Sequence, residues 1–137
     1  MSVTNAINTA VYGTIVATSG VTSLLSSTTA VYDTQAPDGA ILPYVVFNVQ
    51  AETPDNDHGS DTTQVVINIR GFAGTASIAG SIDGQLSTLF HRNQFTVAGY
   101  ANFWTARETY IPTLEVEPNG GKIYGRGALY RVRLDPS

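Results

Sequence analysis

Apolar residues recur along the chain with two different periods. Two stretches have the spacing of one face of a helix, and this spacing predicts amphipathic α-helices over residues 3–15 and 78–90. The apolar positions are Val3, Ile7, Val11 and Ile15 in the first stretch and Ile78, Ile82, Leu86, Leu89 and Phe90 in the second. Gly80 and Gly84 lower the helix propensity of the second stretch by up to about 1 kcal/mol each relative to alanine, but its apolar face is continuous.

The other period is two residues, which is typical of strands that are half buried. Residues 44–50 place Val45, Phe47 and Val49 on one face, and residues 63–70 do the same with apolar residues at 65, 67 and 69. Gly71 to Gly74 is expected to end the second of these strands. Further strands are predicted over residues 94–97, 101–110 and 124–134, and a short edge strand over residues 30–32.

Helices with one apolar face and strands with one apolar face predict an α+β fold. The simplest packing is a mainly antiparallel sheet with the two amphipathic helices on one face. Two long hairpin loops connect the strands, and the length of the chain suits a single domain over residues 1–137.

The two predicted loops, residues 51–62 and 111–121, are unusual because hairpin loops commonly have about two to five residues. They hold six of the eleven carboxylates, namely Glu52, Asp55, Asp57, Asp61, Glu115 and Glu117. One interpretation is that the loops are arms that contact neighbouring copies or a partner, and that a ring of them forms an acidic lining. The other is that they are ordinary polar, mobile loops.

Composition and charge exclude several classes of function. Seven lysines and arginines against eleven carboxylates give a formal charge of −4, which does not attract a phosphate backbone. The absence of cysteine excludes disulfides, thiol chemistry and cysteine-based zinc sites. The first residues lack the positive charge that a signal peptide needs, and no apolar run approaches the roughly 20 residues of a membrane helix.

The sequence contains no convincing catalytic or metal-binding motif. Asp55, Asp57, His58 and Asp61 resemble the start of a calcium loop, but the glycine comes one position early and the final glutamate is missing. His58 and His91 are the only histidines, and no nucleophile elbow or phosphate-binding loop occurs. We therefore expect no enzyme activity, no metal and no cofactor.

Four arginines could form a basic stripe, and one aromatic pair could form an interface. The arginines are Arg70, Arg126, Arg131 and Arg133. They either belong to a solvated face paired with Glu108 or contact an acidic neighbour, such as the 52–61 loop of the next copy. Phe103 and Trp104 point to opposite faces of one strand, so one is expected in the core and the other at the surface.

The order of these features resembles the small tail-completion, or tail-terminator, proteins of long-tailed bacteriophages. The residues that carry the resemblance, over about residues 6–134, are Ala10-Val11-Tyr12, Val21 to Leu25, Val31-Tyr32-Asp33, Leu42 to Val46, Glu52-Thr53-Pro54, Arg70 to Gly74 and Tyr130 to Leu134. This chain differs from the family in its Thr- and Ser-rich first helix and in Gly80 and Gly84, where alanine is common.

The resemblance implies a structural virion protein without catalytic residues, assembled in the host cytoplasm. It implies a homo-hexameric ring at the head–tail junction that caps the tail tube protein and joins it to the connector (stopper) protein, with genomic DNA passing through and no membrane partner. Two alternatives stay open: another ring protein of the neck or tail tube, and a monomeric α+β ligand-binding module.

Overall fold

The computed structural model of the chain describes residues 3–54, 63–116 and 120–136, and all of their side chains except those of residues 3, 54, 103 and 136. Three helices and five strands follow one another in these residues. They are α1 (Val3–Val16), α2 (Ser19–Thr22), β1 (Val31–Asp33), β2 (Tyr44–Pro54), β3 (Thr63–Ala73), α3 (Ala76–Phe90), β4 (Tyr100–Val116) and β5 (Lys122–Pro136).

The strands form one sheet in the order β1-β2-β3-β5-β4. The short strand β1 is parallel to β2, and the other neighbouring strands are antiparallel. The two edges of the sheet are therefore β1, with three residues, and β4, with 17 residues. This confirms the predicted α+β fold with a mainly antiparallel sheet.

The core lies between the helices and one face of the sheet. Ile7, Val11 and Ile15 of α1 are completely buried, as the helical period predicts. The strands contribute the residues that alternate on the same face, among them Val45, Phe47, Val65, Ile67, Ile69, Ala128, Tyr130, Val132 and Leu134. Burial of this many large apolar side chains, at about 1.5–3 kcal/mol each, is the main force that holds the helices on the sheet.

The apolar face of α3 is rotated relative to the prediction. Ile78 is 41% exposed, so the expectation that it faces the core was wrong. The buried residues of α3 are Ala79, Ile82, Asp83, Leu86 and Phe90. The helix begins after Thr75, whose side chain accepts a hydrogen bond from the backbone N–H of Ile78. This cap satisfies a backbone N–H of the first turn, in which the side chain of Ile78 is exposed.

Gly71 does not end β3, contrary to the prediction, because the strand continues to Ala73. Gly71 pairs with Val45 on one side and with Arg126 on the other. A Cβ atom at this position would overlap the side chain of Ile82. The glycine therefore lets α3 approach the sheet closely rather than breaking the strand.

Both predicted hairpin loops are shorter than the sequence suggested. Residues 51–54 continue β2, where Glu52 pairs with Val65, and residues 111–116 continue β4, where Glu115 pairs with Ile123. The carboxylates of residues 51–62 and 111–121 were interpreted as belonging to loops, but an edge strand accepts charged residues. The predicted strand over residues 94–97 was also wrong, since Val97 forms only an isolated bridge with Tyr100.

Candidate assembly surfaces

The two acidic hairpins point toward opposite ends of the sheet. At one end, Pro54 pairs with Thr63, which in turn pairs with Leu134 of β5. At the other end, Val116 pairs with Lys122, close to the place where Ala73 ends β3 beside Tyr124. A strand rises about 3.3 Å per residue, so the 11 residues of β3 separate these ends by roughly 35 Å. One subunit therefore presents acidic hairpins at two distant places.

At the β2–β3 end, Glu52 has a partner within the subunit. Its carboxylate accepts a hydrogen bond of 2.7 Å from Oγ1 of Thr4, in the first turn of α1. A carboxylate is stabilised there by the partial positive charge of the helix N-terminus. Glu52 thus connects α1 to β2 while its side chain stays exposed. The other predicted residues of this hairpin, Asp55, Asp57, His58 and Asp61, lie outside the described residues.

At the β4–β5 end, Glu115 is exposed and borders a cavity of about 300 Å³ on the sheet face opposite the helices. Tyr44, Phe72 and Arg70 line the same cavity. The Nη1 atom of Arg70 donates to Oγ1 of Thr113 at 3.0 Å, and its guanidinium stacks 5.2 Å from the centre of the Phe72 ring. Glu117, the other predicted carboxylate here, lies outside the described residues.

The four arginines of the predicted stripe occupy two faces of the sheet. Residues two apart on a strand share a face, so Arg131 and Arg133 lie opposite the core residues of β5. Arg70 is on this same face, where its side chain crosses Gly127. Arg126 shares a face of β5 with Ala128 and Tyr130, so it lies on the helix side of the sheet, where it donates a hydrogen bond to the hydroxyl of Tyr110.

Arg131 is engaged within the subunit. Its Nε atom lies 2.8 Å from Oε1 of Glu108, and its Nη1 atom donates to Oε1 of Gln64 at 2.8 Å. The Arg131–Glu108 pairing is the cross-strand arrangement that the sequence suggested as the simpler interpretation. Both side chains are 37% exposed, so the ion pair contributes little to stability, about 1 kcal/mol or less.

A polar cluster between α3 and β4, on the helix side of the sheet, was not predicted from the sequence. Both oxygens of Asp83 on α3 accept hydrogen bonds from Arg107 on β4, at 2.8 and 2.9 Å. The backbone N–H of Arg107 donates to Nδ1 of His91 at 3.0 Å. The hydrogen bond to Asp83 raises the pKa of Arg107, and burial raises the pKa of Tyr130 beside the pair to about 12. The signal in the sequence was a carboxylate on the buried face of a helix, which needs a cation.

The outer strand β4 carries most of the exposed large apolar side chains. Trp104 is 41% exposed, and Tyr110, Leu114 and Val116 are 45%, 56% and 65% exposed. Trp104 is paired with Arg133 on the sheet face opposite the helices, whereas the other three residues share the helix side; the side chain of Phe103 is not among those described. Exposed apolar residues that share one face of a strand, as Tyr110, Leu114 and Val116 do, are typical of a surface that another molecule covers.

The described residues do not gather their histidines and carboxylates into a metal site. They contain no group of three or more residues that could hold a metal ion. No helix of the described residues is long and apolar enough to cross a membrane. Asp83 and Arg107 form a paired contact between α3 and β4, and the buried Tyr130 lies beside it.

Comparison with solved structures found a chain with a similar fold. A chain of the virion of a native gene transfer agent particle superposes with a TM-score of 0.74 and covers 98% of both chains. The two sequences are 16% identical, so this similarity concerns the fold. The comparison with curated protein sequences gave no match.

The sequence model of the family described as tail completion protein gp17 matches residues 9–114. The chain belongs to this family. It is a bacteriophage tail structural protein located in the virion, which confirms the family resemblance inferred from the sequence.

Proposed function

We propose that the protein is a non-enzymatic tail terminator built from a single domain over residues 1–137. Six copies form a ring at the head–tail junction, which caps the tail tube and joins it to the connector protein. Genomic DNA passes through the ring, and the subunits assemble in the host cytoplasm. The observation that carries the proposal is the family membership together with two acidic hairpins at opposite ends of one subunit.

The separation of the hairpins suits a ring that has two different neighbours. One hairpin end faces the channel, where carboxylates repel the phosphates of DNA so that the DNA slides without binding. The other end contacts a neighbouring copy or the tail tube. The two ends are roughly 35 Å apart along β3, so one part of the subunit lines the channel and another part contacts a neighbouring copy or the tail tube.

The first test is the mass of the purified protein in solution and its effect on tails. Light scattering over a series of concentrations should give a discrete assembly of about six subunits of 14.5 kDa. Adding the protein to tails that lack it should cap them and permit their attachment to heads. Open-ended stacking into tubes would favour a tube or neck protein, and a monomer that leaves tails uncapped would favour a binding module.

Neutralising one hairpin end at a time tests the channel lining. One variant carries Glu115→Gln and Glu117→Gln, and the other carries Glu52→Gln, Asp55→Asn, Asp57→Asn and Asp61→Asn. Only the variant of the end that faces the channel should slow DNA ejection from completed particles, because DNA then meets fewer repelling charges. Equal ejection rates for both variants and the wild type, with normal assembly, would contradict the lining.

A further inference from the structure

The charges of the chain are divided between its two halves. Residues 1–69 contain six carboxylates and no lysine or arginine, whereas residues 70–137 contain all seven cations and five carboxylates. The first half therefore has a formal charge of −6 and the second half a formal charge of +2. An asymmetry of this size within one small protein indicates two surfaces of opposite character.

The sheet places the two halves at opposite edges. The strand order β1-β2-β3-β5-β4 puts β1 and β2, from the acidic half, at one edge and β5 and β4, from the other half, at the far edge. With neighbouring strands about 4.8 Å apart, the edge strands are separated by roughly 19 Å. This order places Asp33 of β1 at the edge opposite the strands that carry Arg107, Lys122 and Arg126.

The far edge carries a basic and apolar surface on the helix side of the β4–β5 hairpin, which we call the basic edge. Cross-strand pairing places Tyr110, Leu114 and Val116 of β4 on the same face as Lys122 and Arg126 of β5. Its apolar side chains are well exposed. Among residues 110–116 and 122–126, this face holds no carboxylate, since Glu115 lies on the other face.

The near edge carries an acidic surface with one prominent apolar residue, which we call the acidic edge. Residues 31–41 contain Asp33 and Asp38, both exposed, and no cation. Ile41 is 73% exposed. The loop after β1 is connected to the segment between α2 and β1, because Oγ of Ser26 donates to the carbonyl oxygen of Ile41 at 2.7 Å.

The two edges lie at the same height along the strands. Asp33 is aligned with Phe47, Ile69 and Ala128 across the sheet, and Ala128 pairs with Tyr110 on the far edge. A neighbour placed beside the sheet therefore brings its Asp33 level with Tyr110 and close to Arg126, whereas Lys122 lies six residues farther along β5, roughly 20 Å. The loop that carries Asp38 and Ile41 returns to Tyr44, which is aligned with Phe72 and Gly125 and so lies nearer to the level of Lys122.

We propose that the basic edge of one copy binds the acidic edge of the next copy, so that Arg126 faces Asp33, Lys122 faces Asp38, and Ile41 packs against Leu114 and Val116. This joint rests on the ring proposed above, and it supplies what a ring needs: two different, complementary surfaces on opposite sides of the subunit. The occupant is a second copy because the same chain carries both complementary surfaces.

Side chains rather than backbone pairing make this joint. The outer edge of β4 is covered near residues 105–107, where the N–H of Arg92 donates to the carbonyl oxygen of Thr105 and Arg107 donates to His91. Bulges interrupt β4 between residues 102 and 104 and between residues 107 and 109. Pro112 lacks an N–H in the remaining open stretch, so a continuous added strand is disfavoured.

Lys122 is the only lysine of the chain, and this makes a direct test possible. A carbodiimide, which links an amine to a carboxylate without a spacer, should join Lys122 to Asp38 of the neighbouring copy in assembled particles. Isotope labelling is needed to show that such a link is between subunits, because Lys122 lies on β5, only three strand spacings or roughly 14 Å from β1. A mixture of ¹⁴N- and ¹⁵N-labelled protein identifies it by the hybrid peptides, and Lys122→Arg, which keeps the charge, should abolish it.

Charge reversal provides the second test. Lys122→Glu with Arg126→Glu makes both edges acidic, and Asp33→Lys with Asp38→Lys makes both edges basic. Each variant alone should need at least about tenfold more protein to assemble than the wild type, since like charges then meet. An equimolar mixture should assemble again, in alternation, because every joint then joins opposite charges.

These results separate the joint from the proposed function. Links from Lys122 only to carboxylates of its own hairpin, to residues 52–61 of a neighbour or to another virion protein would overturn the joint. Assembly of both charge-reversed variants as readily as the wild type would do the same. If the link and the alternating assembly are found but the protein does not cap tails, the joint stands and the tail-terminator proposal fails.

Discussion

Arg107 of β4 and Asp83 of α3 form a two-pronged ion pair, with nitrogen-to-oxygen distances of 2.8 and 2.9 Å. The side chains are only 21% and 12% exposed. This contact connects the third helix to the outer strand, which is held to the sheet on one side alone. It also explains how a carboxylate is accommodated on the buried face of α3, because the guanidinium matches both oxygens.

Arg107→Met should destabilise the protein by about 2–4 kcal/mol, because it leaves a largely buried carboxylate without its partner. Urea denaturation measures this difference. Arg131→Met is the matched control, since it breaks the exposed pair with Glu108 and should cost about 1 kcal/mol or less. Asp83→Leu combined with Arg107→Met should recover most of the loss. If Arg107→Met and Arg131→Met lowered the free energy of unfolding equally, the buried Asp83–Arg107 pair would contribute no more to stability than the exposed pair.

Tyr130→Phe should alter the dependence of stability on alkaline pH. Burial raises the pKa of Tyr130 to about 12, while an unfolded tyrosine titrates near pH 10. Above about pH 10 the unfolded state loses this proton first, so stability should fall as pH rises toward 12, by up to roughly 2.7 kcal/mol.

Denaturation at pH values from 8 to about 12 tests this expectation. Tyr130→Phe should show a shallower decline than the wild type. Tyr12→Phe, which removes a hydroxyl from an exposed ring of α1, is the matched control and should keep the wild-type decline. An unchanged decline in Tyr130→Phe would mean that this phenol does not couple to unfolding.

Gly127→Ala should destabilise the protein by about 2 kcal/mol or more, because overpacking against a rigid neighbour forces the backbone to shift. A Cβ atom there would overlap the carbonyl oxygen of Ile69 on β3. Gly84→Ala is the control, since the space beside Gly84 is open and alanine favours the helix by up to about 1 kcal/mol. Thermal unfolding should therefore move in opposite directions for the two variants; a higher melting temperature in both would refute the close approach.

Thr75→Ala should cost about 1 kcal/mol by removing the cap of α3. The Oγ1 atom of Thr75 accepts from the N–H of Ile78 at 3.3 Å, and Thr75→Ser should retain this contact. Thr88→Ala is the control within the same helix, because its hydroxyl donates to an already bonded carbonyl group of Gly84. Denaturation that gave Thr75→Ala and Thr75→Ser the same stability would exclude the cap.

The acidic hairpins illustrate why part of the assembly surface could be predicted. Their carboxylates are visible in the sequence, but the extent of the strands beneath them is not, because Glu52 and Glu115 join ladders whose partners are distant along the chain. The stripe of arginines shows the same limit. Arg131 pairs with Glu108 as the sequence suggested, whereas Arg126 lies on the other face of the sheet, which the period of β5 indicates once the strand is established.

The two amphipathic helices, the alternation of β2, β3 and β5, and the α+β class can be predicted from the residues alone, because burial of one face of an element imposes a period on neighbouring residues. The sequence also divides the charges between the two halves of the chain. Three features appear only in the folded structure. Helix α3 exposes Ile78 and turns Asp83 toward Arg107, and β3 continues through Gly71, which packs beneath Ile82. The two halves of the chain occupy opposite edges of the sheet. Each of these depends on contacts between residues far apart in the chain, whose free energy outweighs local propensity.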